Sequence, residues 1–387
     1  MKTRNELKET RDKHRKQKVL QKITLCNIMV NLIMDFKDTL ESLRAILGLF
    51  SFMVDNLKHL IDLLYSLLFY FCEVYKMNYS TSPLFEVSSK KRLSYLLKTD
   101  ISKLKQADIS FSAPYFSKTK GRKTRQFFNP TDTQRITINA IKNCLEQIEI
   151  PNYIYGGIKN RSYIANARVH ENAKSLILID LKNFFPSTSD SYVYDFFKNK
   201  LNQPADVARI LTIITTESGD YGRFIPQGYS TSPLMSFLAY ESMYQQLNNL
   251  ANQQQLHFSA YFDDITFSSS KYINKAVERS AKKIVRSFGL QINQEKSRTL
   301  FNNASKLTGV VITPTQIQAS GKLHKQMIDN FDLLLNSLYS NSKPSKKDLL
   351  NLCNKTQGCI NSIKAIEENR DLSYYTSKVK EVRRLIK

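Results

Sequence analysis

Apolar residues recur at three- and four-residue spacing through much of the first 75 positions. Ile23, Ile28, Val30, Leu32, Phe36, Leu40 and Leu43 begin the pattern, and Ile46, Phe50, Met53, Leu57, Leu60, Leu64 and Leu67 continue it. That period predicts two or three amphipathic helices. Their apolar faces have three possible partners: the main body, a second copy in a homo-oligomer, or another protein. Residues 78–83, Asn-Tyr-Ser-Thr-Ser-Pro, read as a linker. From residue 175 to about 313 the pattern changes, and short β-prone runs alternate with helical stretches. After Pro314 the helical period returns, over Phe331 to Tyr339 and Leu349 to Ile366. The expected fold class is α+β, with a helical N-terminal extension over 1–80, a mixed region over 81–174, a sheet region over 175–315 and a helical region over 316–387.

Acidic residues change this picture where they interrupt apolar runs. Asp180 ends the run Ser175-Leu176-Ile177-Leu178-Ile179, which reads as a buried strand. Taken alone, it could be a helix cap or a salt-bridged Asp. A second pair, Asp263-Asp264, sits between Phe258-Ser259-Ala260-Tyr261-Phe262 and Ile265-Thr266-Phe267-Ser268, as at the tip of an aromatic-rich hairpin. If the strands are neighbours, three carboxylates meet, an arrangement suited to two-metal phosphoryl transfer. Buried unpaired acids are costly, and metal ions offset that cost.

Other stretches extend the same chemistry. In Ile225-Pro226-Gln227-Gly228-Tyr229-Ser230-Thr231-Ser232-Pro233, Gly228 allows close backbone approach, Ser232 is expected to cap a helix beginning at Pro233, and Gln227 can face a nucleotide. Residues 117–125, with Lys118, Lys120, Arg122, Lys123 and Arg125 around Gly121, suit a triphosphate or form a solvated charge run. Phe184 and Phe185 are core residues or, beside Asp180, the floor of a sugar pocket that excludes a 2′-hydroxyl. Lys296, shortly after a helix end at Gly289, is a surface lysine or a proton donor to a leaving pyrophosphate.

Charge supports a polyanionic partner. The 387 residues carry a formal net charge of +23, and each neutralised phosphate releases counterions. Residues 1–18 are dense in Lys and Arg, as a nucleic-acid arm or a solvated helix end would be. Five cysteines, Cys26, Cys72, Cys144, Cys353 and Cys359, form no metal-binding spacing and suit buried thiols in a reducing cytoplasm. The apolar decapeptide Leu63 to Cys72 is too short to span a bilayer, so no membrane span is expected.

Together these motifs resemble a reverse transcriptase. Tyr261-Phe262-Asp263-Asp264 is similar to the YxDD box. Asp180 with Phe184-Phe185-Pro186-Ser187 is similar to the first carboxylate motif, and Gln227-Gly228 through Ser232-Pro233 to the PQG…SP motif. Lys118, Arg125, Phe127 and Pro130 fit the fingers pattern, and Lys296 the late palm lysine. The narrower resemblance is to bacterial retron reverse transcriptases. Asn166-Ala167-Arg168-Val169-His170 is similar to their NAxxH signature, and Leu307-Thr308-Gly309 to their VTG motif with Leu for Val. Thr356-Gln357-Gly358 with Ile360-Asn361-Ser362-Ile363 is similar to a thumb helix.

The resemblance implies a right-hand polymerase, with fingers over 81–174, palm over 175–315 and thumb over 316–387. It implies Mg²⁺ at Asp180, Asp263 and Asp264, with Lys296 as general acid. Lys118, Arg125, Phe185 and Gln227 would bind the dNTP. Asn166, His170, Leu307, Thr308 and Gly309 would contact a cognate noncoding RNA. Retron enzymes extend DNA from a 2′-hydroxyl of that RNA to give branched msDNA, and act with an effector protein in defence against phages. Other readings are a group II intron or abortive-infection reverse transcriptase, or a non-catalytic RNA-binding scaffold.

Overall fold

A computed structural model describes residues 77–100, 114–117, 125–219, 222–339 and 345–386. The chain divides into two units, Met1–Met77 and Asn78–Lys387. The helices expected before residue 76, the basic arm, Cys26 and Cys72 therefore lie outside the described residues.

The stretch read as a linker is instead anchored. Asn78 caps a 3₁₀ turn at Tyr79–Thr81, the Ser82 hydroxyl donates to the Cys144 carbonyl at 3.0 Å, and Leu84 is fully buried. Asn78, Ser80 and Thr81 are spent on local hydrogen bonds, the same chemistry that marks them as turn formers. Helix α1 (Lys90–Leu97) follows, then a hairpin of β1 (Pro114–Ser117) and β2 (Arg125–Phe128), paired Ser117 to Arg125. Helix α2 (Asp132–Leu145) opens with a capping box of Thr131 and Gln134. A short helix, α3 (Tyr163–Arg168), precedes the sheet.

The centre of the unit is a four-stranded antiparallel sheet. It contains β3 (Ser175–Asp180), buried at every position. After β3 come the helical turn α4 (Phe184–Ser187), α5 (Asp190–Asp195), α6 (Ala205–Thr215), the small hairpin β4 (Glu217–Gly219) and β5 (Gly222–Phe224), α7 (Ser232–Ala239) and α8 (Glu241–Gln253). Then β6 (His257–Tyr261) and β7 (Asp264–Ser269) form a hairpin, α9 (Lys275–Ser287) crosses over, and β8 (Arg298–Phe301) returns. The spatial order is β6-β7-β3-β8. The strict period of two sorts the side chains of β3. Leu176, Leu178 and Asp180 share one face, and Ile177 and Ile179 share the other.

A second sheet of β9 (Ser305–Leu307), β10 (Val310–Ile312) and β11 (Ile317–Ala319) leads into three helices, α10 (Gly321–Tyr339), α11 (Lys346–Ile366) and α12 (Ser373–Ile386). Leu176 and Leu178 pack in one cluster with Leu307, Val310, Phe331, Leu334, Ile360 and Ile363. The helical C-terminal region thus shares a core with one face of the central sheet. Cys144, Cys353 and Cys359 are buried free thiols. Among the described residues no helix is long and apolar enough to cross a membrane.

Helix α7 starts differently from its sequence expectation. Thr231 occupies the cap position without a side-chain bond, and Ser232 is the first helical residue. The Ser232 hydroxyl instead donates to the Pro226 carbonyl at 2.6 Å, closing the loop that carries Gln227.

Candidate active site

Strand register brings the acids together. Asp180 is the direct cross-strand partner of Asp264 at the end of the β3–β7 ladder, so both carboxylates emerge on the same face. Asp263 lies in the two-residue turn joining β6 and β7, where Tyr261 pairs with Asp264. The Leu181 amide donates to the Asp263 carbonyl at 2.9 Å, which ties the turn to the end of β3. The segment before β8 closes the other side. Asn293 donates its amide to the Asp180 carbonyl at 2.8 Å, and the Asp180 amide donates to the Ser297 hydroxyl at 3.1 Å. Continuing the ladder from Leu178–Arg298 sets Lys296 across from Asp180. Its Nζ donates to Asp180 Oδ2 at 3.0 Å.

Three acids at one point carry an electrostatic cost. Burial first, then the charges of Asp263 and Asp180, push the Asp264 carboxyl up to about 7, and Lys296 pulls it partly back. An all-carboxylate donor set suits a hard cation that keeps several waters, and such a cation would remove the repulsion. Among the described residues no three His, Cys, Asp or Glu side chains close into a ready cage. The Lys296 ammonium provides the counter-charge at Asp180.

The turn itself is held under strain. Phe262 has φ +55°, a conformation that costs a bulky residue about 1–3 kcal/mol. Two contacts keep it there. The Tyr244 hydroxyl, on the buried face of α8, donates to the Phe262 carbonyl at 3.0 Å. Gly156 lies so close that a Cβ on it would sit 2.4 Å from the Phe262 amide nitrogen. The neighbouring Gly157, at φ +72°, is pressed against Pro233 of α7. Burial and the charge of Asp263 raise the Tyr244 phenol well above its usual range, so it stays a donor. Sequence reasoning passed over Gly156, Gly157 and Tyr244. The Gly-Gly dipeptide was the available signal, as a mark of close backbone approach.

Phe185 is half-buried, 5.9 Å between ring centroids from Phe262 and 5.8 Å from Phe184, whereas Phe184 is buried against Tyr240. Gln227 is half-buried in a turn whose next residue, Gly228, has φ +115°. The Phe128 amide donates to the Gln227 carbonyl at 2.8 Å, and a Cβ on Gly228 would meet the Phe128 carbonyl oxygen at 2.4 Å. The β1–β2 hairpin is thereby joined to the turn that carries Gln227. Lys118 and the side chain of Arg125 lie outside the described residues.

Three residues expected to touch RNA are sealed in the interior, and that expectation is corrected for them. His170 is fully buried, with Nδ1 2.7 Å from the Ser268 hydroxyl and Nε2 2.7 Å from the Ser259 hydroxyl. Asn166 is 1% exposed, and its side-chain amide has no hydrogen-bond partner among the described residues. Leu307 belongs to the core shared with α10 and α11. These positions pack α3 and the following turn onto the sheet. Only Thr308 and Gly309, both at positive φ in the β9–β10 turn, remain partly exposed.

Burial lowers the His170 pKa to about 3, so the folded protein holds it neutral. The unfolded chain takes up this proton near pH 6.5, before the folded one does. Stability from this site is therefore full above pH 6.5 and falls toward pH 3. His170→Ala should cost roughly 3 kcal/mol or more at pH 7.5, from a cavity and two orphaned hydroxyls. Denaturant melts of both proteins should show this gap narrowing below pH 6.5 by up to about 1.4 kcal/mol per pH unit. A gap independent of pH would mean that the histidine is not held neutral.

Comparison with known proteins identifies the family. Residues 117–318 match the model of the family described as reverse transcriptase (RNA-dependent DNA polymerase). The chain belongs to the reverse transcriptase family. The right-hand polymerase fold expected from its motifs is that of the family. Its similarity extends to retron members. The Retron Se72 reverse transcriptase of Salmonella heidelberg is 30% identical over 54% of this chain and 53% of its own. The Escherichia coli Retron Ec86 and Retron Ec73 reverse transcriptases are each 27% identical, over 49% and 67% of this chain and 58% and 83% of theirs. The chain thus spans little more than half the length of the first two relatives. The resemblance to retron reverse transcriptases is borne out.

Proposed function

We propose that this reverse transcriptase family member is an RNA-directed DNA polymerase of a retron. The observation that carries the reading is the pairing of Asp180 with Asp264 beside the Asp263 turn. Residues 81–174, 175–315 and 316–387 would act as fingers, palm and thumb. Asp180 and Asp263 would hold divalent ions, Mg²⁺ by preference, with Asp264 in support. When bound, such ions lower the pKa of an attacking hydroxyl and neutralise a leaving pyrophosphate.

The protein's own groups would do the rest. Lys118 and Arg125 would hold the triphosphate, and Gln227 would meet the nucleotide from its turn. Phe185, against Phe262, would form the sugar floor. Lys296, bonded to Asp180 before substrate arrives, would turn to the leaving group and donate its proton there. Thr308 and Gly309 would contact the cognate noncoding RNA, from whose 2′-hydroxyl DNA is extended to msDNA. An effector protein with a role in phage defence and a cytoplasmic setting complete the retron reading.

Purification with bound nucleic acid, followed by sequencing, tests the reading. RNA joined covalently to DNA is expected. A protein that incorporates no dNTP on an RNA template with Mg²⁺ would defeat the polymerase assignment. One that copies any RNA equally would defeat the retron assignment. Phe185→Ala should raise the ratio of ribonucleotide to deoxyribonucleotide incorporation by at least roughly tenfold. An unchanged ratio would remove Phe185 from the sugar pocket.

A further inference from the structure

The face of the central sheet opposite the acids carries a charged surface that copying does not use. Helix α9 displays Lys275, Arg279, Lys283 and Arg286, all exposed. At 100° per residue these four fall within an arc of about 80°, in a stripe roughly 16 Å long. The acid on this helix, Glu278, is already occupied. Its carboxylate accepts from Lys282 at 2.6 Å and from the Thr299 hydroxyl at 2.7 Å. Arg279, Lys283 and Arg286 have no carboxylate within ion-pair reach among the described residues.

Two exposed aromatic side chains lie near the N-terminal end of α9. Thr299 reaches α9, and Phe301, two residues on, lies on the same sheet face. The Phe301 ring meets Tyr272 edge to face at 5.7 Å, and Tyr272 sits in the loop that leads into α9 beside exposed Lys271. Phe301 is 46% exposed and Tyr272 63%. Large rings left in water are a liability unless something covers them. Phe301 pairs with Ser175, at the far end of β3 from Asp180. That is roughly 17 Å along the strand and on its other face.

We propose that this back face is a second nucleic-acid surface, which holds a single-stranded segment of RNA away from the copying groove. The inference rests on the RNA-handling role proposed above and adds a location to it. Cations four residues apart on a helix are about 6 Å apart, a spacing that a strand of phosphates can follow. Exposed aromatic faces near the start of the helix offer stacking to unpaired bases. A protein partner would need an acidic surface without using the rings for stacking. Exposed cations on the helix, with exposed rings near its start, favour RNA.

The test uses the whole chain with its groove filled by excess short RNA–DNA primer–template, and a labelled single-stranded RNA as probe. Wild type should still bind the probe. Lys275→Ala/Arg279→Ala/Lys283→Ala should bind roughly tenfold or more weakly, with a slope of log affinity against log salt shallower by about 2. Tyr272→Ala/Phe301→Ala should lose affinity with the slope unchanged. Both variants should extend the short primer–template at the wild-type rate. Unchanged affinity and slope in the triple variant, or a probe fully displaced by the primer–template, would overturn the proposal. So would a triple variant that keeps the probe but loses a co-purifying acidic protein, which would assign the face to that partner. Failure of wild type to extend the primer–template would instead sink the polymerase reading and leave the binding comparison intact.

Discussion

An Asp263→Asn protein is expected to lose RNA-templated DNA extension by roughly 10³-fold or more, with its fold and RNA affinity retained. The side chain is half-exposed at the tip of the β6–β7 hairpin. What holds the turn is its backbone: the Asp263 carbonyl accepts from Leu181, and the Phe262 carbonyl from Tyr244. Asn preserves both bonds and nearly the same volume. It removes one negative charge from a cluster of three. The Asp263 charge is the second-largest cause of the raised Asp264 pKa, after burial. Losing it should move that carboxyl down from about 7. Extension rates on an RNA template, a thermal melt and an RNA-binding titration separate the outcomes. Retained extension would refute the metal assignment, and a collapsed melt would show that Asp263 serves the fold first.

Gly156→Ala is the second substitution expected to have a large effect. No side chain can be accommodated where a Cβ would stand 2.4 Å from the Phe262 amide nitrogen, because that neighbour is backbone and cannot rotate away. Either the 155–157 loop or the Phe262-Asp263 turn must shift. The loop is held by the Tyr155 amide, which donates to the Ala260 carbonyl at 2.8 Å, so the strained turn is the weaker side. Displacing a reacting group by about 1 Å can cost 10²-fold. Extension should fall by roughly that factor while nucleotide-independent RNA binding persists. Wild-type extension in Gly156→Ala would mean that the loop yields and the turn does not depend on it.

Much of the site could be read from local patterns. A continuous apolar run ending in Asp180, and two β-prone runs flanking Asp263-Asp264, are strand signals that survive in the fold because side-chain alternation leaves few ways to pair them. Gln227-Gly228 was equally legible, since positive φ and close approach both call for Gly. The readings that failed involve residues whose partner is not the one their local pattern suggests. His170 has the chemistry of a surface ligand, yet it is enclosed by Ser259 and Ser268, 89 and 98 residues away. Ser232 has the chemistry of a helix cap and spends its hydroxyl on Pro226 instead. Tyr244 gave no sign of its task, because a Tyr on an apolar helix face reads as core.

The sequence by itself determined the strands that carry the acids, the acids and their order, and the excess of positive charge, because period, turn chemistry and charge are properties of neighbouring residues. Tertiary structure alone decided that Asp180 faces Asp264, that Lys296 pairs with Asp180, that Gly156 braces the Phe262-Asp263 turn, and which polar side chains are sealed from solvent. Those outcomes depend on strand register and packing, which are set by burial summed over the whole sheet and cannot be read from any one segment.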